Sequence, residues 1–191
     1  MTRGAPVVAV VAALVACGPP LERPADVSAD LEKMQDARRP ERLLARGKAY
    51  ARLGDLVRAE QYLAAALDEG ADVEATLPLL LRVCVASRKY RAAIDVAEPW
   101  LIKRPADQKL RFVVASLYSS IGETEQAKKL LEAIVDKTPD NAEVRFALGV
   151  LYRDEKNDPV NADRHFRAYL ELAPQGPHAE EAKSSVMTRL R

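Results

Sequence analysis

Cysteine, histidine and aromatic residues are scarce in this sequence, and neither sign of charge dominates it. Two cysteines and two histidines in 191 residues leave little from which to build a metal site or a thiol catalyst. The 5% aromatic content argues against a β-sandwich and for a helical protein. Lys and Arg number 29 against 28 Asp and Glu, so the basic excess that follows a phosphate backbone is missing. Nucleic acid is therefore not an expected partner. No glycine-rich phosphate loop, paired-cysteine metal spacing, His-Glu-x-x-His or Gly-x-Ser-x-Gly occurs either. The chain reads as non-enzymatic, without a small-molecule substrate, metal or cofactor.

The few chemically active residues fit structural roles. Cys84 lies in the apolar run "LPLLLRVCVASRKY" and reads as a small buried hydrophobe, since the imidazoles it would need as a base, His165 and His178, are far along the chain. His178 with Glu180 and Glu181 is no ligand set, because neighbouring helical positions point in different directions. "HAEEAK" reads instead as a charged, solvated helix start. Trp100, the only tryptophan, stands where a small residue would face a neighbouring helix. It reads as a filler of that interface, or as an outer-face anchor for a second partner.

Long hydrophobic runs are absent as well. The apolar run near the start, from Ala5 to Ala16, has twelve residues without a charge, whereas a bilayer-spanning helix needs roughly 20. With Arg3 before it, the stretch fits the apolar core of a secretory signal peptide. A buried first helix is disfavoured by Pro6 inside the run and by Gly18, Pro19 and Pro20 after it. Leu14, Val15, Ala16 and Cys17 resemble the lipobox of bacterial lipoproteins. The resemblance implies a signal peptide over 1–16, cleavage before Cys17 and a covalent lipid on its sulfur. Several acyl chains, at about 0.8 kcal/mol per buried methylene, give a stable anchor. Cys84 is then left without a disulfide partner. Gly18 is not the Asp that resembles an inner-membrane retention signal, so the expected site is the outer membrane, facing the periplasm. The periplasmic face of the inner membrane and the cell surface are the alternatives.

Residues 17–40 hold four of the twelve prolines and read as the lipidated N-terminus and a flexible linker, with a short helix from Asp26 to Arg38. Beyond Pro40, similar residues recur at intervals of 34. Tyr50, Cys84, Tyr118 and Tyr152 keep this spacing, as do Gly47, Leu81, Ala115 and Gly149, and Gly54, Arg88, Gly122 and Lys156. Ala59, Ala93, Ala127 and Ala162 follow with one step of 35, and Pro105, Pro139 and Pro174 close the units. "LGVLY" from Leu148 to Tyr152, then Ala162, Phe166 and Pro174, resembles the signature of the tetratricopeptide repeat (TPR) family. The resemblance implies an all-α, right-handed α-solenoid of four helix pairs over 41–174, in units 40–73, 74–107, 108–141 and 142–174. Unit one departs from the pattern with "EGAD" in place of its final Pro, and unit two with Leu81 and Cys84. Residues 175–191 read as a C-terminal capping helix with Ala179, Ala182, Val186 and Leu190 inward.

In that family the first helices of successive repeats line a concave groove that holds a partner segment. The positions carried across are Leu44, Lys48 and Arg52, then Arg82 and Val85, then Lys109, Phe112, Ser116 and Ser120, and last Phe146, Val150 and Arg153. Phe112 and Phe146 are expected to stack along one face, with Lys48, Arg52, Arg82 and Lys109 to one side. Such a groove suits a peptide with an apolar anchor and acidic or C-terminal carboxylate groups. The asparagines of the chaperone-type carboxylate clamp are absent, their places taken by Lys48, Arg82, Ser116 and Val150. Anchor and repeats together are similar in plan to the pilotin lipoproteins of secretins and to accessory lipoproteins of outer-membrane protein insertion. The expected function is a membrane-anchored protein-interaction scaffold in cell-envelope assembly. A self-associating structural lipoprotein and an adaptor for peptidoglycan enzymes or a motility apparatus are the alternatives.

Overall fold

The computed structural model describes residues 24–155 and 157–187, and their regular structure is wholly α-helical. Cys17, Lys156 and Leu190 lie outside the described residues. Residues 1–37 and 38–191 form two separate units. The first contains α1 (Pro24–Ala37), close to the short helix expected within the linker. Pro24 at its start costs no hydrogen bond, because the first turn of a helix has no partner for that N–H.

The second unit is an all-α solenoid. Its helices alternate as α2 (Pro40–Arg52) with α3 (Leu56–Asp68), α4 (Val73–Ala86) with α5 (Tyr90–Lys103), α6 (Gln108–Ser120) with α7 (Thr124–Val135), and α8 (Ala142–Asp154) with α9 (Pro159–Leu172). The short α10 (Ala179–Ser185) follows. Short acidic or amide side chains begin most of these helices. Asp55, Asp72, Asp107, Asn141 and Asp158 each accept hydrogen bonds from backbone N–H groups of the first turn, which would otherwise be unsatisfied.

The turn inside each pair needs one residue in the left-handed region. Gly54 (φ 77°), Arg88 (φ 57°) and Gly122 (φ 75°) supply it at the 34-residue interval, and Asn157 (φ 47°) supplies it in the last pair, one residue later. That shift is where the extra residue of the fourth unit is absorbed. Gly54 and Gly122 have open space where a Cβ would stand, so the demand there is on the backbone alone.

Close approach of the paired helices is a different demand. A Cβ on Gly47 would lie 2.6 Å from Leu63 Cγ, and one on Gly149 would lie 2.7 Å from the Phe166 ring. Leu63 and Phe166 are fully buried against those glycines. Tyr118 and Tyr152 work between repeats. The Tyr118 hydroxyl donates to Glu98, and the Tyr152 hydroxyl to Glu132 at 2.9 Å, each twenty residues earlier on the preceding pair. The bonded Glu98 carboxylate, with burial, pushes the Tyr118 hydroxyl up to about 12. In repeat two Cys84 stands in the tyrosine's place and Ala64 in the glutamate's, so a small apolar pair replaces the hydrogen bond and both join the first core cluster. The buried Cys84 thiol is pushed up by loss of solvent. Helices α4 and α5 also run through Pro78 and Pro99, each of which leaves a carbonyl one turn back without its usual N–H.

Two large core clusters divide most of the solenoid, one built on α3 to α6 and one from α6 to the cap, with Tyr118 and Leu130 packed against both, and a smaller one of Leu43, Ala66 and Ala71 lies at its start. The cap is shorter than the sequence suggested. Ala179 and Ala182 are buried and Val186 is half-buried, but the helix stops at Ser185, and Leu190 lies outside the described residues. The chain is drawn out of helical form by Asp163, which accepts from Met187 N–H at 2.7 Å, and by Arg167, which donates to Met187 O at 2.7 Å.

His165 is buried and stacked on Tyr152 at 5.5 Å, and its Nδ1 has no hydrogen-bond partner. Burial, reinforced by the charges of Arg164 and Arg145, pushes its pKa down to about 4. A histidine depressed in the folded state adds stability that is full above its unfolded pKa and lost as the pH falls toward the folded one. Stability should therefore fall by about 2–3 kcal/mol between pH 6.5 and 4, beyond the contribution of the carboxylates. Denaturant titrations of wild type and His165→Phe over that range test this, and the difference between them should narrow by that amount. For the glycines, Gly122→Ala should cost about 1 kcal/mol through backbone strain alone. Gly149→Ala should cost more, about 2–3 kcal/mol, because Phe166 must also move. Equal losses in the same titrations would contradict the distinction.

Candidate functional site

The expected groove residues divide between two depressions of unequal size. A trench of about 850 Å³ runs across α4 and α6, with Leu77, Leu81, Leu110 and Val113 among its apolar lining. Arg82, Val85 and Lys109 of the expected set line it. A smaller depression of about 270 Å³ between α6 and α8 takes in Ser116, Phe146 and Val150. The other expected residues line neither. Leu44 is half-buried against the core, and Lys48 and Arg52 are exposed on α2, where Arg52 Nε donates to Lys48 O at 3.3 Å. Phe112 is half-buried against the second cluster. Ser116 and Ser120 return their hydroxyls to carbonyls four residues back, at 3.0 and 2.8 Å.

Two expectations change at the fourth repeat. Phe146 does not stack on Phe112 among the described residues. Its ring lies face to face with His178 at 4.1 Å and 11°, and tilted against Phe166 and Tyr169. His178 is exposed, as expected of a solvated helix start, yet one face of its ring is covered by Phe146. Its backbone N–H donates to the Tyr169 hydroxyl at 2.9 Å, which fixes the loop entering α10. Arg153 is likewise taken by the cap. It binds Glu181 at 3.0 Å and Ser185 at 2.7 Å, pairs with Asp154 at 2.6 Å, and lies over the Phe166 ring at 5.4 Å. The chain's own C-terminal segment thus covers one face of Phe146 and engages Arg153, while Phe146 and Val150 still line the smaller depression.

The trench keeps an electrostatic imbalance. Its two acids are engaged: Glu74 pairs with Arg104, and Asp107 accepts from Leu110 N–H at 2.9 Å to cap α6. Arg82 and Lys109 have no ion-pair or hydrogen-bond partner among the described residues. The apolar floor therefore carries two uncompensated positive charges on facing helices. Arg104 reaches from the trench toward Trp100, lying over the indole at 6.0 Å, with Lys103 at 4.5 Å. Trp100 is half-buried and packed against the first core cluster, the filler reading of this residue. Glu74, Arg104 and Asp107 were not legible as site residues. Pro78, which also lines the trench, was missed, although it holds the 34-residue register with Leu44, Phe112 and Phe146, the signal that could have found it. Among the described residues no group of His, Cys, Asp and Glu could hold a metal ion.

Comparison with known proteins supports the TPR assignment. Residues 112–177 match the family model described as tetratricopeptide repeat. Human Protein O-mannosyl-transferase TMTC1 is 26% identical over 131 residues, 69% of this chain, and the chain spans about 15% of that protein. A tetratricopeptide repeat protein of Parabacteroides merdae superposes with a TM-score of 0.67 at 23% identity, over 76% of this chain and 58% of that one. YrrB, described as a TPR protein with an unusual peptide-binding site, gives 0.68 at 17% identity, over 84% and 88%. MamA from Desulfovibrio magneticus gives 0.64 at 24%, over 74% and 80%. These structures share the α-helical solenoid fold.

The cap's attachment is open to direct measurement. Arg153→Ala removes its ties to Glu181 and Ser185, so amide exchange over residues 179–185 should speed up about fivefold, corresponding to about 1 kcal/mol. Exchange in α4 to α7 should not change. Equal acceleration throughout would mean that Arg153 supports the whole solenoid and not the cap.

Proposed function

We propose that this chain is a non-enzymatic, membrane-anchored scaffold that holds a segment of a protein partner in its groove during assembly of a cell-envelope complex. The observation that carries the reading is the trench over α4 and α6, an apolar floor with Arg82 and Lys109 uncompensated beside it. Such a surface takes an aliphatic or aromatic anchor together with an acidic side chain or a C-terminal carboxylate. The peptide-binding site named for YrrB, a protein of the same fold, supports a peptide ligand here. Anchoring rests on the lipobox-like run from Leu14 to Cys17, with the lipid on Cys17 and the outer membrane, facing the periplasm, as its location. Secretin or pilus assembly and outer-membrane protein assembly are the processes that this plan fits.

Crosslinking in the native envelope, with capture and mass spectrometry, tests the proposal. Wild type should bring down an envelope subunit, and Arg82→Ala with Lys109→Ala should reduce its recovery at least tenfold without loss of helicity. Recovery unaffected by the double substitution would move the binding surface away from the trench. The purified subunit should also shift Trp100 emission, since Arg104 connects the trench to the indole. Cys17→Ser should release the protein from the membrane fraction, and retention there would contradict the lipid anchor.

A further inference from the structure

Helix α1 carries the chemistry complementary to the trench. Val27, Leu31 and Met34 recur at i, i+4 and i+7, the spacing of a single helix face, and are 45%, 52% and 64% exposed. By sequence, residues 24–37 hold Asp26, Asp30, Glu32 and Asp36 against one cation, Lys33, a net charge of −3. The trench offers the converse, aliphatic side chains with Arg82 and Lys109 unpartnered and both of its acids engaged.

We propose that the trench of one molecule takes the acidic amphipathic helix α1 of a second copy of this chain. The inference rests on the groove reading above and names an occupant for it. Each molecule contributes one helix and one trench, so the contact is head to tail and can propagate from copy to copy. Confinement to a membrane surface raises the effective concentration at which it forms. Helix α1 and an envelope partner then compete for one surface, and the density of copies sets how much of the groove stays open.

Complementation tests this without an unknown ligand. The full chain, in density-matched detergent, is followed by sedimentation across concentration at about 50 and about 500 mM salt, because exposed charges are screened at the higher value. Self-association should appear at low salt and weaken at least tenfold at high salt. Leu31→Asp alone and Arg82→Glu with Lys109→Glu alone should each be monomeric. All three positions are exposed, and circular dichroism verifies that the variants are folded. Mixed one to one, the two variants should form a heterodimer and nothing larger, since only one helix and one trench remain intact. A monomer at every concentration, association that survives both variants, or a mixture that stays monomeric would overturn the inference. If the monomer still captures an envelope subunit through Arg82 and Lys109, the groove reading stands. Loss of that capture as well would remove both.

Discussion

The solenoid depends on how closely two helices of one repeat can approach. At Gly47 and Gly149 the first helix presents no side chain, and Leu63 and Phe166 fill the space so completely that a single added carbon would overlap them. This contact fixes the separation within a pair. Pair stacking then places α2, α4, α6 and α8 in succession, and a surface made of successive first helices follows. Where the pattern is relaxed, in repeat two, Leu81 and Cys84 are accommodated by small neighbours such as Ala64, and the trench lies on α4 of that repeat.

The groove is not uniform along its length. At its fourth-repeat end His178 stacks on Phe146 and Glu181 pairs with Arg153, so an aromatic ring and a carboxylate of the chain's own C-terminal segment meet two of the residues that resemblance alone would offer to a ligand. The larger opening lies over α4 and α6. There the acids are spent on Arg104 and on the α6 N-terminus, while Arg82 and Lys109 have no such partner. A chain balanced in overall charge thus presents a locally basic, apolar surface.

How much of this was legible in the sequence follows from where each constraint acts. Close packing and left-handed turns restrict residue type, so Gly47, Gly149, Gly54, Gly122 and Phe166 stood out in the 34-residue register, and the fold with them. Contacts made outside that register left no signal. The stack of His178 on Phe146, the capture of Arg153 by Glu181 and the end of α10 at Ser185 depend on a segment after the last repeat, whose direction is set by Asp163 and Arg167. Likewise, Lys109 could be placed in the groove from its position, but that it keeps its charge uncompensated depends on Asp107 being used as a cap.

The central claim is that α4 and α6 form the binding surface. Isotope-labelled protein titrated with a synthetic leucine-containing peptide that ends in acidic residues, followed by amide chemical shifts, addresses it most directly. The account predicts perturbations clustered at Arg82, Val85, Lys109 and Leu110, saturable and weakened by salt. Perturbations confined to α5 and α7, or none at the trench when the peptide is saturating elsewhere, would contradict it.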